Sequence, residues 1–270
     1  MNVGRGAVRI ATLKVLIVVA FGLWGSLAGA TKISWDFESG SWPGSGPLCC
    51  NAIPTIINAT GGNPTHYARL TASPTDCGSA FFTTCPRTRA ESFIGKLPDV
   101  AGETRTYSID IRFPSGIQPM TGHDALTWQL FSNGSTSEHR TTWIGTQNGR
   151  IYIANPVTPV PNTQYTVNLG PIQGPGSSVQ AIDLGPLVYD EWHTYRVVVV
   201  QAVTPNPGSV TVYKDDVLIG TMSGQPTLWS LAETEVFVNY VDGNGVLGVV
   251  DFDNASLATP PPAPTGLKVQ

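Results

Sequence analysis

The chain has 270 residues, with 15 basic against 19 acidic side chains and a net charge of −4. That balance offers no general attraction to nucleic acid or to an anionic membrane surface, so neither is expected as a partner. With 29 glycines and 22 prolines, the composition suits many short strands joined by turns, and no amphipathic helix of useful length interrupts them.

Residues 1–30 read as an export signal. Arg5, Arg9 and Lys14 precede an apolar run from Val15 to Leu23, and Ala28-Gly29-Ala30 supplies small residues at a cleavage point. The run is shorter than the roughly 20 apolar residues of a spanning helix. The expectation is therefore an exported chain, extracellular or periplasmic, with no membrane span. The remaining 240 residues hold 12 basic and 19 acidic groups, a net charge of −7, so any site for an acidic glycan would need local Arg or Lys.

An alternating strand is predicted over residues 32–38, followed by a Gly/Pro/Ser-rich loop with Cys49 and Cys50. These two and Cys77 and Cys85 are all the cysteines, and in an exported protein they are read as two disulfides. All three pairings stay open, with the vicinal Cys49–Cys50 bridge disfavoured because adjacent residues reach disulfide geometry only under strain. A zinc site is the weaker alternative, since the paired two-residue spacing is missing.

Over residues 107–113 the alternation places Tyr107, Ile109, Ile111 and Phe113 on one face and Asp110 and Arg112 on the other. Residues 124–131 put Leu126, Trp128 and Leu130 on a core face and Thr127, Gln129 and Phe131 opposite. Strands over 141–145 and 150–154 flank Asn148-Gly149, a strong hairpin signal. Residues 155–185 read as a long loop, with one short strand near 165–169, that overhangs one face. Two last strands, 235–241 and 246–257, are separated by Asp242-Gly-Asn244-Gly, and residues 259–270 form a Pro-rich disordered tail whose ending resembles the first strand of a fibronectin type III module. The reading is one all-β domain over 31–258, an antiparallel β-sandwich, with no internal repeat.

Residues 189–220 are the most informative. Trp192-His193 opens a β-branched strand, Gly208-Ser-Val-Thr-Val-Tyr213 alternates, and Lys214-Asp215-Asp216 turns into an apolar return. This hairpin resembles that of the concanavalin A-like jelly roll, with the heparin-lyase-type polysaccharide lyases most similar and the laminin-G-like lectin modules sharing it. The resemblance implies a monomeric, secreted jelly roll that engages a polysaccharide. It implies either β-elimination of a uronate-containing glycan or, as the alternative, noncatalytic carbohydrate binding or adhesion.

A lyase of this kind neutralises the uronate carboxylate, removes the C5 proton and protonates the leaving oxygen. The family carries Gln-x-His on one strand, because period-2 spacing aims both side chains at one sugar. Thr127-Trp-Gln129-Leu-Phe131 resembles that strand, with Gln129 at the glutamine and Phe131 where histidine is expected. Arg87-Thr-Arg89-Ala-Glu91 resembles the family's early Arg-x-Glu motif, in which arginine engages the carboxylate and glutamate orients it. Tyr240 falls where the family has a catalytic tyrosine or lysine, although alternation with Val236 and Val238 offers a core position instead. His123 and His139 flank the Gln129 strand as substitutes for the missing base; His66 is unranked, and His193 reads as a strand-end residue.

A hydrolase would need two carboxylates across a glycosidic bond, and the Glu-x-Asp-x-x-Glu strand of jelly-roll hydrolases is absent, which makes it the third choice. No cofactor is required. A structural calcium, which the fold often carries, has candidate ligands in Asp242, Asn244, Asp251 and Asp253. Asn58-Ala-Thr60, Asn133-Gly-Ser135 and Asn254-Ala-Ser256 are glycosylation sequons.

Overall fold

The computed structural model of the protein describes residues 32–42, 47–49, 54–59, 64–72, 88–115, 125–134, 137–156, 179–203, 205–228, 231, 233–242 and 248–259. They form fifteen strands and no helix. In chain order these are β1 (Lys32–Trp35), β2 (Pro47–Cys49), β3 (Thr55–Asn58), β4 (His66–Ala72), β5 (Thr88–Pro98), β6 (Thr104–Arg112), β7 (Ala125–Gly134) and β8 (Ser137–Gln147). They continue as β9 (Arg150–Pro156), β10 (Val179–Pro186), β11 (Trp192–Val200), β12 (Gly208–Lys214), β13 (Val217–Gln225), β14 (Glu233–Asp242) and β15 (Gly248–Ala258).

Two antiparallel sheets face each other. The first runs β13-β12-β11-β6-β15-β4-β3, with β1 pairing the far end of β15, and the second runs β10-β9-β8-β7-β14-β5-β2. Consecutive hairpins build β11-β12-β13 and β7-β8-β9-β10, whereas the pairings of β6, β15 and β4 and of β7, β14 and β5 join strands distant in sequence because the chain crosses between sheets, as in a jelly roll. The alternation read from the sequence decides what lies between them. Tyr107, Ile109, Ile111 and Phe113 from β6 and its end meet Trp128 and Leu130 from β7 in one buried cluster, joined by Tyr195, Val197, Val236, Val238, Val250 and Phe252. Tyr107 and Trp128 touch edge to face, ring centroids 5.8 Å apart, a geometry favoured by their quadrupoles.

The turns follow their chemistry. Asn148 and Gly149 both have positive φ between β8 and β9, and Asp215 and Asp216 do the same between β12 and β13, as two-residue hairpins require. Two loop expectations are corrected: Pro47–Cys49, in the expected Gly/Pro/Ser-rich loop, form β2, and residues 179–185, read as loop, fall in β10 on the edge of the second sheet, paired with β9 from Val179↔Pro156 to Pro186↔Arg150. Val179, Ile182 and Leu184 supply its apolar side chains, and Gly185, at φ 106, supplies a bulge beside Asp183; the surrounding prolines and glycines mask that short pattern. The strand expected near 165–169 lies outside the described residues, as do the signal segment 1–30 and residues 260–270.

Candidate functional site

The Gln129 strand lies in the middle of the second sheet. Because Trp128 and Leu130 enter the core, Gln129 faces away from it, as the alternation predicts, yet it is 0% exposed. Register aligns one row across six strands: Ala181, Ala154, Trp143, Gln129, Phe237 and Phe93 on β10, β9, β8, β7, β14 and β5. On this face Trp143, Tyr152, Ala154 and Val179 form a second buried apolar cluster. Gln129 thus borders an aromatic and aliphatic floor on the β8 side.

Bulges bracket the row. The β7–β8 register shifts between Leu126 and Trp128 and again between Leu130 and Phe131. β14 shifts against β5 between Val236 and Phe237 and against β7 between Val238 and Val241. A bulge releases backbone groups that must find other partners when buried. Thr127 Oγ1 donates to the Ile144 carbonyl at 3.1 Å, and Thr141 Oγ1 donates to the Leu130 carbonyl at 3.3 Å. Two threonine hydroxyls therefore stabilise the irregularities on either side of Gln129.

The other residues implied for catalysis are located by register. Arg89 and Glu91 lie on β5, opposite Val241 and Asn239 of β14, and Tyr240 lies opposite Ala90. Since β14 also pairs β7, these residues and Gln129 lie on three adjacent strands, with Tyr240 three positions along β14 from Phe237, the partner of Gln129. His139 pairs Ser132, three positions along β7 from Gln129. His123 lies outside the described residues, as do Cys50, Cys77 and Cys85, while Cys49 ends β2 opposite Glu91. His66 sits on the other sheet beside Glu38, Nδ1 to Oε2 3.2 Å, where hydrogen bonds from Thr65 and His66 hold the Glu38 carboxyl down at about 2. His193 is likewise remote from Gln129; its Nδ1 meets Asp215 Oδ2 at 2.8 Å.

Of the nominated calcium ligands, Asp251 and Asp253 lie on β15. Asp242 ends β14 and Asn244 lies outside the described residues. Asp251 does not fit a cation, because guanidinium groups already occupy both its oxygens. Arg69 Nε donates to Oδ1 at 2.7 Å, while Arg69 at 2.9 Å and Arg112 at 2.6 and 3.0 Å donate to Oδ2. The pairing holds the Arg69 guanidinium above its ordinary value. Asp253 fits better. Its Oδ1 is buried without a hydrogen-bond partner, and Asn254 Nδ2 reaches its Oδ2 at 3.1 Å. Burial, reinforced by the negative field of Asp110, Glu38 and Asp36, pushes the Asp253 carboxyl up to about 7. Among the described residues, however, no three His, Cys, Asp or Glu side chains form a metal-binding group.

The sequence reading missed Trp143 as the cross-strand partner of Gln129 and Tyr152 as a member of the same apolar cluster as Trp143. The signal was present in the Asn148-Gly149 turn, since pairing Gln147 with Arg150 sets Trp143 opposite Ala154.

The architecture is matched by solved structures. An endo-β-1,4-glucuronan lyase from the fungus Trichoderma reesei superposes with a TM-score of 0.58 at 14% identity, covering 84% of this chain and 94% of that one. The fold is that of jelly-roll polysaccharide lyases. The alginate lyase AlyC3, in complex with dimannuronate, gives 0.50 at 8% identity over 73% of this chain and 76% of its own. No protein-family model and no curated protein sequence matches the chain. Among the described residues no helix is long and apolar enough to cross a membrane.

Proposed function

We propose that the chain is an exported polysaccharide lyase that cleaves a uronate-containing glycan by β-elimination. The observation that carries this reading is the placement of Gln129, Tyr240, Arg89 and Glu91 on the adjacent strands β7, β14 and β5, in a part of the sheet marked by bulges. Bulges beside a site re-aim side chains at the cost of ladder hydrogen bonds, and here two threonines offset that cost. In the proposed chemistry Gln129 and Arg89 bind the uronate carboxylate, Glu91 orients Arg89, and Tyr240 handles the proton. The fold likeness to a glucuronan lyase and an alginate lyase supports a glycan as substrate.

The test is the near-ultraviolet absorbance of an unsaturated uronate, released from glucuronan, alginate, heparin or hyaluronan by purified protein. No product from any of them ends the lyase proposal. The competing reading is a noncatalytic glycan-binding module. It is favoured by the complete burial of Gln129 and by Phe131 at the position where a base is expected. Saturable calorimetric binding without product would decide for it.

Export, two disulfides among Cys49, Cys50, Cys77 and Cys85, and a structural calcium belong to the same proposal. The calcium proposal narrows to Asp253, the described candidate with an open oxygen. Calcium should raise the melting temperature of the native protein and leave that of Asp253→Asn unchanged.

A further inference from the structure

A chain that is net negative holds an acidic glycan only where cations stand together. Most described cations are engaged singly: Arg105 is buried against Glu103 and Asp99, Lys96 pairs with Glu233, Arg150 pairs with Asp183, and Arg196 lies over the Tyr213 ring. Arg69 and Arg112 differ. They flank Asp251 on the outer face of the first sheet, with side chains 31% and 21% exposed. Both meet Asp251 through Nε and Nη2, so Nη1 of each guanidinium has no hydrogen-bond partner among the described residues. Buried Tyr67 packs against the two, its ring centroid 5.7 Å from Arg69 and 4.8 Å from Arg112. The half-buried Trp192 is next in the row, opposite Arg112.

We infer that this row is a second glycan-binding surface, on the side of the sandwich opposite Gln129, that takes a carboxylated sugar of an acidic polysaccharide. Nη1 of Arg69 and of Arg112 donate to the sugar carboxylate, and the accessible part of the Trp192 ring packs on the C–H face of the sugar. Asp251 touches no sugar, since both its oxygens hold the guanidinium groups in place. Asp190 opposes binding. Hydrogen bonds from Ser115, then the charges of Arg112 and Arg69, hold its carboxyl below the ordinary range, so it lies within reach of both cations and, with Asp251, balances them. Binding is therefore weak and set by contact, not by net charge. The surface shares with the lyase reading only the class of ligand: it retains polymer and takes no part in the chemical step.

The experiment is calorimetric titration of the full chain carrying Gln129→Ala, which slows elimination during the measurement. The probes are hexasaccharides of β-1,4-D-glucuronan and of polymannuronate, and their neutral counterparts from β-1,4-glucan and β-1,4-mannan. With at least one uronate, a binding event should appear that weakens about tenfold in Arg69→Gln and in Trp192→Ala, and the neutral hexasaccharides should lack it. Asp190→Asn tests the same event without threatening the fold, because asparagine keeps an acceptor for Ser115 and tolerates the positive φ of 63 at this exposed position. It should tighten the event about threefold by removing an opposing surface charge. An isotherm unchanged in both Trp192→Ala and Asp190→Asn, or equal binding of the neutral hexasaccharides, overturns the second surface. Unsaturated product from the native chain without this event removes the second surface alone. The event without product removes the lyase reading alone.

Discussion

The outward faces of the two sheets use opposite chemistry. On the first sheet one register row joins Arg69, Asp251, Arg112 and Trp192 across β4, β15, β6 and β11. Every charge there has a partner. Asp251 is clamped by both arginines, and Arg112 also lies over the Tyr67 and Trp192 rings, 4.8 and 5.1 Å from their centroids. On the second sheet the row through Trp143, Gln129 and Phe237 has no charge at all. The contrast separates structural charge from chemical potential: the ionic row ties four strands and has no free carboxylate, whereas the neutral row borders the strands with Arg89, Glu91 and Tyr240.

Removing the clamp should give the largest effect. Asp251→Ala leaves two guanidinium groups facing each other, and breaking a buried pair in this way costs about 3 kcal/mol, read as a drop in denaturation midpoint. Elimination rate below the melting range should be unaffected. A lost rate at intact fold would move the chemistry to the charged face. Next, Gln129→Ala should reduce elimination about a hundredfold, equivalent to about 2.7 kcal/mol of barrier, with a much smaller loss in binding. An unchanged rate would make the neutral row a packing feature only.

The third test concerns Asp253, beside the clamp. Its folded carboxyl at about 7 lies above its ordinary 3.8, so the folded state holds a proton that the unfolded chain releases earlier. The stability linked to this group is thus fully present below about pH 4 and is lost as pH rises through 7. In calcium-free buffer we expect a decline of about 2 kcal/mol across that window, below the ceiling of about 4 kcal/mol that about 1.4 kcal/mol per unit sets over about three units. Asp253→Asn should flatten it. A parallel decline in the variant would assign the effect elsewhere. The smallest effect belongs to the exposed pair of Lys96 Nζ and Glu233 Oε2, 2.7 Å apart. Lys96→Ala should change stability by less than about 1 kcal/mol, and a larger loss would erase the distinction between buried and exposed pairs.

Much of the scaffold was legible because it is local. The alternation of Tyr107 to Phe113, the Asn148-Gly149 turn and the hairpin around Lys214-Asp215-Asp216 each express a two-residue period or a positive-φ turn within a few residues. The direction of Gln129 followed from Trp128 and Leu130 by the same period. Its burial did not follow, because burial depends on what lies over a face and not on the strand's own pattern. Asp251 shows the limit most sharply. Beside Asp253 in sequence it reads as a calcium ligand, but its partner Arg69 is 182 residues away, brought in only by the pairing of β4 with β15. The bulges around Gln129 were equally hidden, since each depends on two strands together.

The central claim, that the neutral row of the second sheet is the chemical face, is tested most directly by one set of absorbance progress curves. Native protein, Gln129→Ala and Asp251→Asn are compared on β-1,4-D-glucuronan and polymannuronate at a temperature where all three are folded. The account predicts unsaturated-uronate product from the native protein on at least one of these polymers, retained in Asp251→Asn and reduced about a hundredfold in Gln129→Ala. Equal rates for native protein and Gln129→Ala, or no product from native protein on either polymer, would contradict it.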